Sequence, residues 1–255
     1  MGKAKENALV LSQERIAEGS YSRLLQTEAI AASAVPGQFV SLYCRDGARL
    51  LPRPISLCEI RPESGQIRLV YRIAGAGTRE FSELKRGDTV EILGPLGNGF
   101  PIRPGRALVV GGGIGVPPLL ELARHLPGEK QLVMGYRTSE TYLEQELSQE
   151  GTLYLATEDG SRGTPGNVLD AIRANHLTAD VLYACGPLPM LRALKAYAEE
   201  TGMEAWVSME ERMACGIGAC LACVCGSTEV DGHSQVKNKR VCKEGPVFNA
   251  REVEL

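Results

Sequence analysis

Four cysteines toward the end of the chain restrict its folding options more than any other feature. Cys215, Cys220 and Cys223 stand at C-x4-C-x2-C spacing, and Cys242 follows after eighteen further residues. Such spacing lets one tight loop deliver three thiolates to a plant-type [2Fe–2S] cluster, and two irons need a fourth, which Cys242 can supply. Cys225 is read as an extra, non-ligating thiol, because four ligands within eleven residues would be cramped. Gly216, Gly218 and Ala219 give the loop little side-chain bulk. Glycine also accepts the positive φ that turns backbone N–H groups toward sulfur. Structural zinc is the competing reading, although zinc motifs favour two CxxC-like pairs and three of these cysteines share one loop. Disulfides or unligated thiols are a third. A [2Fe–2S] centre passes single electrons, so the rest of the chain must contain what loads it.

The 255 residues suffice for two domains and an appendage, since domains commonly run about 100–150 residues. A composition of 44% hydrophobic and 23% charged residues reads as globular, and a net charge of −3 gives no support to binding nucleic acid or an acidic membrane. The opening M-G-K-A-K-E-N-A-L-V lacks an apolar signal core, and Glu6 stands where a myristoylation signal wants Ser or Thr. No apolar run approaches the roughly 20 residues of a membrane span. The expected location is therefore cytoplasmic, where thiols stay reduced.

Residues 1–102 contain short alternating or β-branched runs separated by Pro, Gly and Asp turns, which predicts a small antiparallel β-barrel. Phe39, Val40, Leu42, Ile67, Leu69, Val90 and Ile92 are its expected core. Two fragments look chemical. In L-P-R-P-I-S-L, Arg53 sits between prolines that pre-order the backbone, and its fork of donors suits a pyrophosphate. Ser56, three residues on, faces the other way unless the strand twists. In V-Y-R-I-A-G-A-G-T, Tyr71 can stack on a planar ring, and the turn can bring Gly77 and Thr78 to phosphate oxygens. A surface arginine beside turn prolines and an ordinary hairpin are the plainer readings.

Residues 103–208 alternate strands and helices, which predicts a parallel sheet with ligands at the carboxyl ends of its strands. The first strand ends in Gly111, Gly112, Gly113 and Gly115, which would let a dinucleotide approach the next helix, or would simply make a tight turn. Val116 occupies the third glycine's place in the G-x-G-x-x-G pattern, and no acidic residue ends the second strand. Arg137 there leaves NAD and NADP both open. A-C-G-P puts Cys185, Gly186 and Pro187 at a later strand end, near a nicotinamide or as a buried small thiol. The helix at 188–201 should bury Leu191, Leu194 and Ala198, and the Trp206 strand is expected to end the sheet and lead into the cysteine loop. His125, His176 and His233 form no base–nucleophile arrangement, so hydrolysis has no support. Residues 209–255, which carry the four cysteines, are expected to form a small C-terminal [2Fe–2S] domain.

R-P-I-S with Y-R…G-T, G-G-G-I-G-V-P-P, C-G-P and the four cysteines occur here in the order seen in the ferredoxin-reductase superfamily. The ending E-R-M-A-C-G-I-G-A-C-L-A-C…R-V-C-K-E-G-P-V-F resembles the electron-transfer subunits of class 1B dihydroorotate dehydrogenases, and the resemblance runs nearly full length. It implies that Arg53, Pro54, Ile55 and Ser56 contact FAD and its phosphates. Val70, Tyr71 and Arg72 would line the flavin, and Gly77 and Thr78 would reach the pyrophosphate. Cys215, Cys220, Cys223 and Cys242 would ligate iron. NAD as the nicotinamide rests on the resemblance alone. The implied activity is electron transfer between NAD+ and an FMN-containing catalytic subunit that oxidises dihydroorotate in pyrimidine biosynthesis, in a heterotetramer of two of each chain. The chain offers no separate region for the organic substrate. The rival of similar architecture is the FAD/[2Fe–2S] subunit of an NADH-dependent ferredoxin:NADP+ oxidoreductase or a sulfhydrogenase. A redox sensor without turnover and a zinc-stabilised binding module are rivals of other classes.

Overall fold

The computed structural model describes residues 2–232 and 235–255, so His233 lies outside the described residues. The first third consists of β1 (Ala4–Ala17), β2 (Ser20–Gln26), a one-turn helix α1 (Glu28–Ala31), β3 (Phe39–Leu42), β4 (Arg53–Arg61), β5 (Gln66–Arg72), α2 (Ala76–Ser82) and β6 (Thr89–Leu96). Its strands close into an antiparallel barrel in the order β1-β2-β5-β4-β3-β6. Two-residue alternation turns Val10, Val40, Leu42, Ile67, Leu69, Val90 and Ile92 inward, where they share one core. Phe39 does not belong to it. Being next to Val40, it points to the opposite face, where it packs with Leu96 and Phe248 from the tail.

The middle of the chain runs β7 (Ala107–Gly112), α3 (Pro117–His125), β8 (Lys130–Tyr136), α4 (Glu144–Glu150), β9 (Thr152–Thr157), β10 (Thr164–Pro165), α5 (Val168–Ala174), β11 (Val181–Cys185), α6 (Leu188–Thr201) and β12 (Glu204–Ser208). The strand order is β10-β9-β8-β7-β11-β12, all parallel. Every residue of β7 and β11 is buried, as strands covered on both faces require. Helix α6 buries Leu191, Leu194 and Ala198, the expected three-four spacing. Asn167 caps α5 by accepting hydrogen bonds from the N–H groups of Leu169 and Asp170.

The tail forms a short hairpin, β13 (Val224–Gly226) with β14 (Asn238–Arg240), and then β15 (Val247–Asn249). Here the expectation for Trp206 is corrected: β12 is not the sheet edge. Strand β15 pairs antiparallel outside it, Trp206 opposite Asn249 and Ser208 opposite Val247, with Phe248 buried. Three residues are too short to announce a strand, and only burial of Phe248 against the sheet makes one. No helix among the described residues is long and apolar enough to cross a membrane.

An ionic lattice joins the barrel to the sheet. Glu59 on β4 meets Arg61 at 3.0 Å, Arg124 of α3 at 2.9 Å and Arg68 at 3.7 Å. Glu121 of α3 accepts a hydrogen bond from the Ile60 N–H at 3.1 Å. Strand β4 and helix α3 are thus fixed together at the ends remote from Arg53 and the glycine turn.

Candidate functional site

Arg53 opens β4 opposite Leu42, while Ser56 lies opposite Phe39. The two therefore face opposite sides, as their separation requires. The Arg53 guanidinium lies against Gly77 at the start of α2: a Cβ there would stand 2.5 Å from Nε and 2.8 Å from Cζ. Only glycine leaves room for that cation beside the turn, which fits a pyrophosphate cradle. The Thr78 hydroxyl accepts from the N–H groups of Ala74 at 2.8 Å and Gly75 at 3.1 Å and donates to the Gly75 carbonyl. It closes the turn, so the turn rather than the hydroxyl is what Thr78 contributes.

Tyr71 requires a correction. Its ring is 1% exposed inside the barrel, stacked on Tyr21 with centroids 6.0 Å apart. Its hydroxyl donates to Gln13 Oε1 and accepts from Arg23 Nη2, both at 2.9 Å. The ring is not free to stack on a ligand; alternation along β5 turns it inward and leaves Val70 and Arg72 on the outer face. Val70 joins the buried cluster that also holds Val116, Tyr183 and Cys185, and Arg72 is exposed.

In the sheet, the chain runs from β7 to β8 on one side and returns to β11 on the other. The crevice between β7 and β11 is therefore the switch point at which open α/β sheets bind ligands. Gly111 is in register with Cys185 across it. The glycine turn and C-G-P are packed on one another: a Cβ at Gly115 would lie 2.3 Å from the Cys185 carbonyl oxygen, and one at Gly112 would lie 2.6 Å from Met190 Sδ. Gly111 is likewise closed off by Met134 Sδ at 2.7 Å, and Gly186 by Met190 Cε at 2.5 Å. Gly115 is held small by the Cys185 backbone, whereas Gly111, Gly112 and Gly186 meet chiefly the tips of methionine side chains. Gly113 alone is open, with φ 53° and nothing within 4 Å of a Cβ. Pro117 and Pro118 at the start of α3 also remove two N–H donors. The anion-binding helix end expected from the glycines is thus reduced to the turn around Gly113. Pro187 precedes α6 and is exposed. Burial, then the charge of Glu210, pushes the Cys185 thiol up to about 12, so it is neutral near pH 7.

The four loop cysteines meet as two pairs. The Cys215 N–H points at Cys220 Sγ at 3.5 Å, and the Cys242 N–H points at Cys223 Sγ at 3.4 Å. Gly216 and Gly218, at φ 68° and 87°, bend the loop so that Ile217 and Ala219 direct N–H groups at Cys215 Sγ at 3.4 and 3.3 Å. Burial raises the Cys215 thiol, but N–H donors led by Ile217, together with the Cys220 side chain, outweigh it and bring the thiol down to about 6. Burial and the adjacent Cys223 thiol push Cys242 up to about 12. Among the described residues no three His, Cys, Asp or Glu side chains gather around one point as a single-ion site. Two thiol pairs with N–H donors on sulfur fit two irons taking two thiolates each. Cys225 sits on β13, buried, its thiol donating to the Lys239 carbonyl at 3.5 Å. Burial, then Glu211, pushes it up to about 11.

A family model of the iron-sulfur cluster binding domain of dihydroorotate dehydrogenase B matches residues 210–254. Over 98% of its length the chain is 48% identical to the dihydroorotate dehydrogenase B (NAD(+)), electron transfer subunit, of Bacillus caldolyticus, and covers 99% of that protein. The chain belongs to the family of dihydroorotate dehydrogenase B electron transfer subunits. The relative from Geobacillus thermodenitrificans is 46% identical with the same coverage. Among solved structures, the NADH-dependent reduced ferredoxin-NADP oxidoreductase superposes with a TM-score of 0.88 over 100% of this chain and 91% of that one, at 29% identity. The ferredoxin reductase in carbazole 1,9a-dioxygenase, at 21% identity and TM-score 0.67 over 80% of this chain and 67% of its own, shares the fold. Identity thus favours the dihydroorotate dehydrogenase B family over the oxidoreductase of similar architecture, 48% against 29%.

Proposed function

We propose that this chain carries electrons between NAD+ and a dihydroorotate dehydrogenase catalytic subunit, using FAD and a [2Fe–2S] cluster, in pyrimidine biosynthesis. Bound flavin exchanges electron pairs with a nicotinamide and single electrons with an iron–sulfur centre. The three segments 1–102, 103–208 and 209–255 take FAD, the nicotinamide and the cluster in turn. Arg53 presents its cation to the FAD pyrophosphate against the Gly77–Thr78 turn, while Pro54 to Ser56 and the outer face of Val70 to Arg72 flank the flavin ring. The turn at Gly113 and the Cys185–Pro187 segment receive the nicotinamide, where a neutral, buried Cys185 adds no charge beside it. Cys215 and Cys220 hold one iron, and Cys223 and Cys242 the other. The partner is the FMN-containing catalytic subunit, two copies of each chain form the assembly, and the complex works in the cytoplasm.

The observation that carries this reading is the pairing of the four thiols, with N–H donors already aimed at Cys215 Sγ. The test is activity of the lone chain against that of the complex. Alone, the protein should bleach its flavin with NADH and reduce artificial acceptors without turning over dihydroorotate; with the catalytic subunit, dihydroorotate should reduce NAD+. Dihydroorotate turnover by the lone chain would overturn the partner assignment.

A further inference from the structure

Ser41 lies inside β3, 0% exposed, and its hydroxyl has no hydrogen-bond partner. A buried hydroxyl left unpaired has given up its hydrogen bonds to water without replacement, so such a group needs an explanation. Its position supplies one. Ser41 is opposite Pro54 on one side and Leu93 on the other. Alternation directs it to the face of Phe39, away from Val40 and Leu42 in the barrel core. The cysteine loop covers that face. A Cβ on Gly216 would stand 3.0 Å from Ser41 Oγ and 3.3 Å from Leu96 Cδ1. Gly216 directly follows Cys215, is buried and has φ 68°. The hydroxyl therefore meets the loop where the first ligand leaves it. Its own strand neighbours the Arg53–Ser56 segment.

We propose that Ser41 donates a hydrogen bond to cluster sulfur on the Cys215 side, and that this bond raises the reduction potential of the cluster. The inference rests on the cluster assignment above. Reduction adds negative charge to the cluster, and a donor aimed at its sulfur stabilises that added charge. The donors from Ile217 and Ala219 belong to the loop itself; Ser41 is a donor from the barrel. It ties the cluster's redox balance to the strand beside the flavin segment.

The test uses the full chain carrying both cofactors, with iron and sulfide measured first. Wild-type protein lacking iron would sink the cluster assignment, independently of Ser41. With iron present, Ser41→Ala should move the cluster midpoint, followed by EPR during a potentiometric titration, to a more negative value while the flavin midpoint stays put. Ser41→Thr, which keeps the hydroxyl, should hold the wild-type midpoint. After exchange into D2O, pulsed EPR of the reduced wild-type cluster should show a deuteron coupling that Ser41→Ala lacks. An unchanged midpoint with the coupling retained in Ser41→Ala, or an equal shift in Ser41→Thr, would refute the proposal. Should the alanine variant not load iron, Ser41→Cys, a weaker donor of similar size, must still shift the midpoint negative, and no shift counts against it.

Discussion

At Gly77 a single methyl group would collide with the Arg53 guanidinium, 2.5 Å from Nε, so the small residue and the cation form one unit. Arg53→Ala should lose a charge-assisted phosphate contact of about 1.5–3 kcal/mol, a rise of about 10- to 150-fold in the FAD dissociation constant. Flavin absorbance after gel filtration measures it, and full FAD retention would count against the cradle. Gly77→Ala should lower FAD retention in the same direction by displacing Arg53. Cys220→Ser should abolish the cluster's visible bands and EPR signal while FAD stays bound; persistence of those bands would contradict the ligand assignment. What single residues do was only partly readable beforehand. A glycine next to an arginine's reach carries no mark in one dimension, and Gly112, Gly115 and Gly186 look like ligand-facing positions until their neighbours, Met190 and the Cys185 backbone, are known. Tyr71 suggested stacking by its chemistry, and only the inward phase of β5 decided against it.

Strand β4 and helix α3 each carry a site residue or turn at one end and the Glu59–Glu121 lattice at the other. The two carboxylates behave oppositely. Burial tends to raise Glu59, but hydrogen bonds from Arg61 and Arg124 outweigh it and hold its carboxyl below the usual range. Its stabilisation is therefore complete above the unfolded value near 4.3 and lost as pH falls through the depressed folded value. For Glu121, burial outweighs the Ile60 N–H and holds the carboxyl above the usual range, so its charge disfavours folding once pH rises through that value. Glu59→Gln should cost about 3 kcal/mol at pH 7, because three arginines lose their shared partner, and the deficit should shrink below about pH 4. Glu121→Gln keeps an acceptor for the Ile60 N–H without the buried charge and should cost far less. Urea midpoints at matched m-values compare the two, and equal losses would refute the distinction. Apolar or alternating runs between turn residues mark β1, β3, β5 and β6 of the barrel, the parallel strands other than the two-residue β10, and α6, but not β2, whose S-Y-S-R-L-L-Q carries a buried Arg23. Nor do they mark β15, whose three residues gain their strand form from the neighbouring Trp206–Ser208 ladder. Phe39 reads from sequence as a barrel-core residue because the tail that covers its outer face is distant along the chain.

The assembled chain leaves Ile217 45% and Leu221 43% exposed on the cysteine loop. Leu221 is also held at φ 60°, a backbone region that bulky side chains rarely occupy and that asparagine tolerates. An apolar side chain kept there at conformational cost suits contact with a partner. Leu221→Asn should relax the backbone, retain the cluster signal and weaken association with the catalytic subunit; co-purification with undiminished yield would argue otherwise. The loop itself leaves the sheet after Ser208 and returns at Val247, and those two residues face each other across one ladder. The cysteine loop therefore begins and ends on neighbouring strands of the sheet, which keeps its two roots side by side on the nucleotide-binding layer.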